Sequence, residues 1–183
     1  MIYIKDEKNE LDFNDLRKIN KNVKVIEYPQ LSKYTSMTQI LPKHNDCCVL
    51  YFETVSQTQG HYQCMWRQND TFHFWDSYGL RVSGDKSYIE KTTLIKLNEF
   101  QPYLPRIIDN DLRNGFQWFY NQIDYQSWKQ NVATCGKWTS IRLKNRDMTE
   151  EQFYNYILNT MKTNNLQSFD ETIVFITYPI LKK

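Results

Sequence analysis

Long apolar runs are missing from this chain of 183 residues. No stretch approaches the roughly 20 residues that a helix needs to cross a bilayer, so a helical membrane span and a membrane partner are not expected. The first residues, Met1-Ile2-Tyr3-Ile4-Lys5-Asp6-Glu7, lack the basic-then-apolar order of a secretory signal, and use in a reducing intracellular compartment is expected. An excess of one charge is missing too: 23 Lys and Arg face 21 Asp and Glu, too even a balance to announce a nucleic-acid partner. Glycine and proline are sparse, at five each, and no repeat, linker or low-complexity segment interrupts the chain. The four cysteines include no CxxC pair that would suit zinc, and adjacent Cys47 and Cys48 do not fit a disulfide framework. What remains is a compact folded chain with a functional thiol open to it.

Aromatic residues are abundant, with 13 Tyr, 10 Phe and 5 Trp. The apolar spacing predicts a helix over Leu11 to Ile19 and a strand over Val23 to Tyr28. Cys47 to Glu53 reads as a buried strand. His61 to Gln68 and Thr71 to Asp76 read as a β-hairpin closed by Asn69-Asp70. Between Ser87 and Asp111 the pattern fits helix or strand, with Pro102 and Pro105 as breakers. Phe116 to Tyr125 predicts an aromatic strand and Cys135 to Lys144 a helix. Thr149-Glu150-Glu151-Gln152 has the form of a capping box, opening a helix to Lys162, and Thr172 to Tyr178 predicts a closing strand. The expected class is α+β, a central mixed sheet packed with helices, in a single domain over residues 1–183.

The segment Asn131-Val132-Ala133-Thr134-Cys135-Gly136-Lys137-Trp138-Thr139 places a cysteine, then a glycine, at the expected start of a helix. The helix dipole and the unpaired N–H groups of a first turn favour a reactive thiolate, and the same N–H groups can hold an oxyanion. Taken alone, such a cysteine is more often a small buried hydrophobe. A nucleophilic thiol also needs a base, and Gly60-His61-Tyr62 offers His61 at the head of a strand. His44, in a polar connector, and His73, inside the hairpin, are the other histidines. Asp76, in Phe74-Trp75-Asp76-Ser77-Tyr78-Gly79, stands where a carboxylate could accept the Nδ1–H of His61 and set its tautomer, or simply cap a turn. A glutamine amide could complete the oxyanion site. Gln126, at the end of an expected strand, and Gln130, in a loop, both precede the cysteine.

In the order His, Asp, Gln, Cys-Gly, this set resembles the adenovirus-type maturation cysteine proteases. The versions in virophages, large DNA viruses and Polinton-like elements are the most alike, and the SUMO-deconjugating peptidases are more distant relatives. The likeness is one of short motifs spread between Cys47 and Arg142. Tyr62 stands where the family commonly has tryptophan, and the gap from Gln126 to Cys135 is longer than the family's. The resemblance implies an adenain-like, papain-related cysteine proteinase fold, with Cys135 as nucleophile, His61 as base, Asp76 as its orienting acid and Gln126 as oxyanion donor. It also implies viral capsid or other virion precursors as substrates, cut through a thioester without metal or organic cofactor. It allows a DNA or peptide activator, and implies residence in the host cytoplasm or viral factory and packaging in the virion.

Two other readings use the same residues differently. A deconjugating isopeptidase would act on ubiquitin- or SUMO-modified proteins with the same four groups. A non-catalytic virion or DNA-binding protein would keep only the fold. For that last reading the basic residues are Lys137, Arg142, Lys144 and Arg146, interleaved with Trp138, and on a helix such a set is expected to form a solvated face.

Overall fold

The alternation of apolar residues in the first half of the chain builds one mixed sheet, and the helical periodicity of the second half builds a helical cluster. The computed structural model describes residues 8–56, 59–80, 82, 89–129 and 132–182. In chain order its elements are α1 (Phe13–Ile19), β1 (Lys24–Glu27), β2 (Cys47–Ser56), β3 (Gln59–Gln68), β4 (Thr71–Trp75), α2 (Lys91–Lys96), α3 (Tyr103–Arg113), β5 (Gln117–Tyr120), α4 (Cys135–Lys144), α5 (Glu150–Thr163) and α6 (Phe169–Leu181). The architecture is α+β, as expected.

The chain divides into two compact units. The sheet unit comprises residues 24–76 and 80–122, and the helical unit takes residues 1–23, 77–79 and 123–183. In the sheet unit the strand order follows the chain, β1-β2-β3-β4-β5. The outer pairs, β1 with β2 and β4 with β5, are parallel, and the two inner pairs are antiparallel. The β3–β4 hairpin turns at Asn69, whose φ of 54° is a left-handed conformation that asparagine tolerates better than most residues. Alternate residues point to one face. Ile26, Cys48, Leu50, Phe52, Met65, Phe72 and Phe74 therefore form a common buried layer, which Leu104, Ile107 and Ile108 of α3 complete.

Pro105 does not break this region. It is the third residue of α3, in the first turn, where the missing N–H has no intrahelical acceptor to lose. Ser87 and Tyr88 lie outside the described residues, and the segment after them is helical at α2. The aromatic strand β5 stops at Tyr120 rather than continuing to Tyr125. The next side chain, Asn121, is engaged by the backbone of Asp76 instead, and Tyr125 N–H donates to Ser77 O at 2.8 Å.

In the helical unit, α4 packs against α1 and α6, and α5 against α6. Residues 172–178, expected as a strand, belong to helix α6. Ser168 caps it by accepting Glu171 N–H at 3.0 Å, and Asp170 and Glu171 supply the acidic first turn. Asp170, Ile173, Val174 and Thr177, at helical spacing, are buried together. The Thr172 and Thr177 hydroxyls bond back to carbonyls one turn earlier. Capping and packing thus override the weak β-preference of the branched residues.

The capping box of α5 forms as expected: Gln152 N–H donates to Thr149 Oγ1 at 3.2 Å, and Thr149 N–H donates to Gln152 Oε1 at 2.9 Å. Thr149→Ala removes one of these bonds. It is expected to lower stability by about 1 kcal/mol, read as a shift of the urea midpoint at unchanged slope.

Candidate active site

The register of the hairpin determines which histidine a carboxylate can meet. Cys64 lies opposite Trp75, so Gln63 lies opposite Asp76, and His61 is two residues further along the same face of β3. His61 Nε2 and Asp76 Oδ2 are 2.7 Å apart, and both side chains are buried. An ionised carboxylate only accepts, so Nε2 is the donor in this bond. The expected partner nitrogen was Nδ1, and the structure reverses it. Phe52, opposite His61 on β2, meets its ring edge-on with centroids 5.3 Å apart.

Two residues of this cluster had not been singled out in the sequence. Gln63 Nε2 donates to the same Asp76 Oδ2 at 2.8 Å, and Gln63 is fully buried. Its position two residues after His61 on a strand was the available signal. Asn121 clamps the Asp76 backbone from both sides: Asp76 N–H donates to Asn121 Oδ1 at 2.9 Å, and Asn121 Nδ2 donates to Asp76 O at 2.6 Å. No pattern in the sequence marks Asn121. Gly60 also gains a reason, since a Cβ there would overlap the ring of Tyr51.

The other histidines are placed elsewhere. His73 faces the opposite side of the hairpin, its ring stacked on Trp66 with centroids 4.7 Å apart and planes 4° from parallel. His44 accepts Asn69 N–H through Nδ1 at 3.0 Å, beside the hairpin turn.

In the helical unit, Cys135 is the first residue of α4, as expected, and is buried. Thr134, the N-cap, makes no side-chain cap bond, and its hydroxyl donates to Asp170 Oδ1 at 2.5 Å. The first ladder bond of the helix is Trp138 N–H to Thr134 O, so the Cys135 and Gly136 N–H groups stand ahead of the ladder. Gln126 is buried in irregular backbone rather than at a strand end. Gln126 N–H donates to Ser77 O at 2.9 Å and its Oε1 accepts the Ser77 hydroxyl at 2.7 Å. Its Nε2 donates to the Tyr78 hydroxyl at 3.0 Å and, at the limit of reach, to Val132 O at 3.5 Å. Gln130 and Asn131 lie outside the described residues.

No disulfide joins the four cysteines. Burial pushes the Cys48 thiol far above the ordinary cysteine range, with Cys47 adding to the effect, so Cys48 stays protonated and unreactive. The expected solvated basic face is only partly formed: Lys144 is exposed and Arg146 half-buried. Lys137 and Arg142 are buried: Lys137 Nζ donates to Asn9 O at 2.6 Å. Arg142 donates to Asn145 O at 2.7 Å and Met148 O at 3.0 Å, with its guanidinium over the Phe153 ring. Among the described residues no cluster of His, Cys, Asp and Glu is arranged to hold a metal ion.

No family model matches the sequence. The chain is similar to the uncharacterized protein V9 of Sputnik virophage, 26% identical over 167 residues that cover 91% of this chain and 92% of that protein. Among solved structures it is similar to the C-terminal Ulp1 protease domain in complex with Smt3, the yeast ortholog of SUMO. That similarity has 11% identity and a TM-score of 0.36, covering 96% of this chain and 78% of that one.

Proposed function

We propose that this chain is a viral cysteine endopeptidase of the adenain-like type, acting as one catalytic domain on virion precursor polypeptides. The observation that carries the reading is the dipeptide Asp76-Ser77. Asp76 holds the imidazole that would serve as base, and the very next residue anchors Gln126 through both its carbonyl and its hydroxyl. Similarity to a virophage protein supports the viral setting. Work in the host cytoplasm or viral factory and packaging in the virion follow from that setting.

In this mechanism His61 Nδ1 takes the proton of the Cys135 thiol, and the sulfur attacks the scissile carbonyl carbon. The carbonyl electrons move to oxygen, where the Cys135 N–H and one Gln126 Nε2–H stabilise the oxyanion. The Gln126 bond to Val132 O, the longer of its two, is the one exchanged for the oxyanion. As the tetrahedral adduct collapses, His61 returns the proton to the leaving amine and a thioester remains. Water, deprotonated by His61, then hydrolyses the thioester and regenerates the thiol. Nothing in these steps calls for a metal or an organic cofactor. DNA activation through α4 is disfavoured, because Lys137 and Arg142 are engaged with backbone carbonyls.

Purified protein incubated with the virion precursor polypeptides is expected to yield discrete fragments by mass spectrometry, and Cys135→Ala protein none. Equal cutting by Cys135→Ala would sink the proposal. Rapid labelling of Cys135 by a ubiquitin or SUMO probe with a C-terminal electrophile, without precursor cleavage, would transfer the assignment to a deconjugating isopeptidase.

A further inference from the structure

Asp170 is a buried carboxylate that the mechanism above does not use. It sits in the first turn of α6, yet its oxygens serve two other segments. Oδ1 accepts the Thr134 hydroxyl at 2.5 Å and the Trp138 indole N–H at 3.2 Å, both belonging to the start of α4. Oδ2 accepts Ser127 N–H at 2.9 Å, from the residue next to Gln126. One side chain thus spans the helix bearing Cys135 and the segment bearing Gln126.

A threonine at an N-cap ordinarily turns its oxygen back to an N–H of the first turn. Here Asp170 takes the Thr134 hydroxyl as a donor, and the cap bond does not form. The Thr134 hydroxyl therefore does not occupy the N–H groups at the start of α4.

We infer that Asp170 is a positioning residue for the oxyanion site: it ties the segment bearing Gln126 to the start of the helix that supplies the Cys135 N–H. The inference rests on the endopeptidase reading. Asp170 touches no reacting atom, so its loss is expected to act on the acylation step rather than on substrate binding.

The test compares Asp170→Asn and Thr134→Val with wild type on a precursor peptide that wild type cuts. Asparagine can keep its oxygen on Thr134 and Trp138, which turns its NH2 against the Ser127 N–H, donor against donor. Both variants are expected to lose about 10- to 100-fold in kcat with KM within about twofold, the scale on which groups behind an active site act. Thr134→Ser, which keeps the hydroxyl, is expected to restore wild-type kcat. Alkylation of Cys135 by iodoacetamide, which forms no oxyanion, is expected to continue at the wild-type rate or faster. Unchanged kcat in both variants, or kcat and alkylation falling together, overturns the inference.

Backbone amide exchange separates this outcome from failure of the endopeptidase reading. In Asp170→Asn, exchange at Ser127 and Gln126 should rise about tenfold or more while that at Trp138 holds, an effect readable without substrate. Unchanged exchange at Ser127 overturns the anchoring. Wild type that cuts no precursor, with the exchange pattern as expected, overturns the peptidase assignment and leaves Asp170 as the anchor.

Discussion

His61→Ala is expected to lower kcat on a cleavable precursor peptide by about 10⁴-fold, with KM nearly unchanged. The magnitude follows from the absence of a substitute base. His73 lies on the other face of the hairpin against Trp66, and His44 is bonded to Asn69 beyond the turn. Asp76→Asn should cost far less, about 10- to 100-fold. Asp76 Oδ2 accepts from both His61 Nε2 and Gln63 Nε2, so an asparagine oxygen in that place keeps both bonds and the tautomer. What it loses is the negative charge that favours the imidazolium formed during attack. Single-turnover kinetics check both. A loss below tenfold in His61→Ala would mean that some other group takes the thiol proton. A loss in Asp76→Asn as large as in His61→Ala would mean that the ring had turned.

Trp138→Ala should be the most destabilising single change in the helical unit, by about 3–5 kcal/mol. The indole is fully buried in a helix whose residues from Cys135 to Leu143 are all buried. Its ring packs on Tyr125 and Phe169, with centroids 5.4 and 6.5 Å away, and its N–H reaches Asp170. Truncation opens a large cavity and takes one donor from a buried carboxylate, and both effects have the same sign. Chemical denaturation measures the change; less than about 2 kcal/mol would show that the neighbouring rings collapse into the space. Trp138→Phe, which keeps most of the volume but not the donor, should fall between the two.

Much of the fold was legible because local signals agreed with the tertiary outcome. The hairpin had two alternating runs around a polar dipeptide, and α5 had a complete capping box before an apolar stripe. Residues 172–178 misled because Thr, Ile and Val weigh toward strand, whereas Ser168 and Asp170 just upstream were the deciding signals. In the site, His61 and Asp76 came together because the hairpin register requires it. The ring nitrogen that Asp76 would meet depends on a side-chain rotation that sequence does not encode. Gln126 was expected at a strand end, yet its position comes from bonds to Ser77, some fifty residues earlier in the chain. Asn121 meets Asp76 through backbone atoms, and a residue that recognises backbone leaves no trace in its partner's identity.

The helical unit is assembled from three separated stretches of chain, and its Asp170 is made long after Cys135. A ribosome delivering this chain presents His61 and Asp76 on a hairpin that is local in sequence, then Cys135, and only later the carboxylate that ties Thr134 to Ser127. Synthesis itself therefore imposes an order on competence. A nascent chain exposed through Lys144 carries the Cys135 thiol before Asp170 exists to tie Thr134 to Ser127, so the surroundings of that thiol are completed only when α6 has been made.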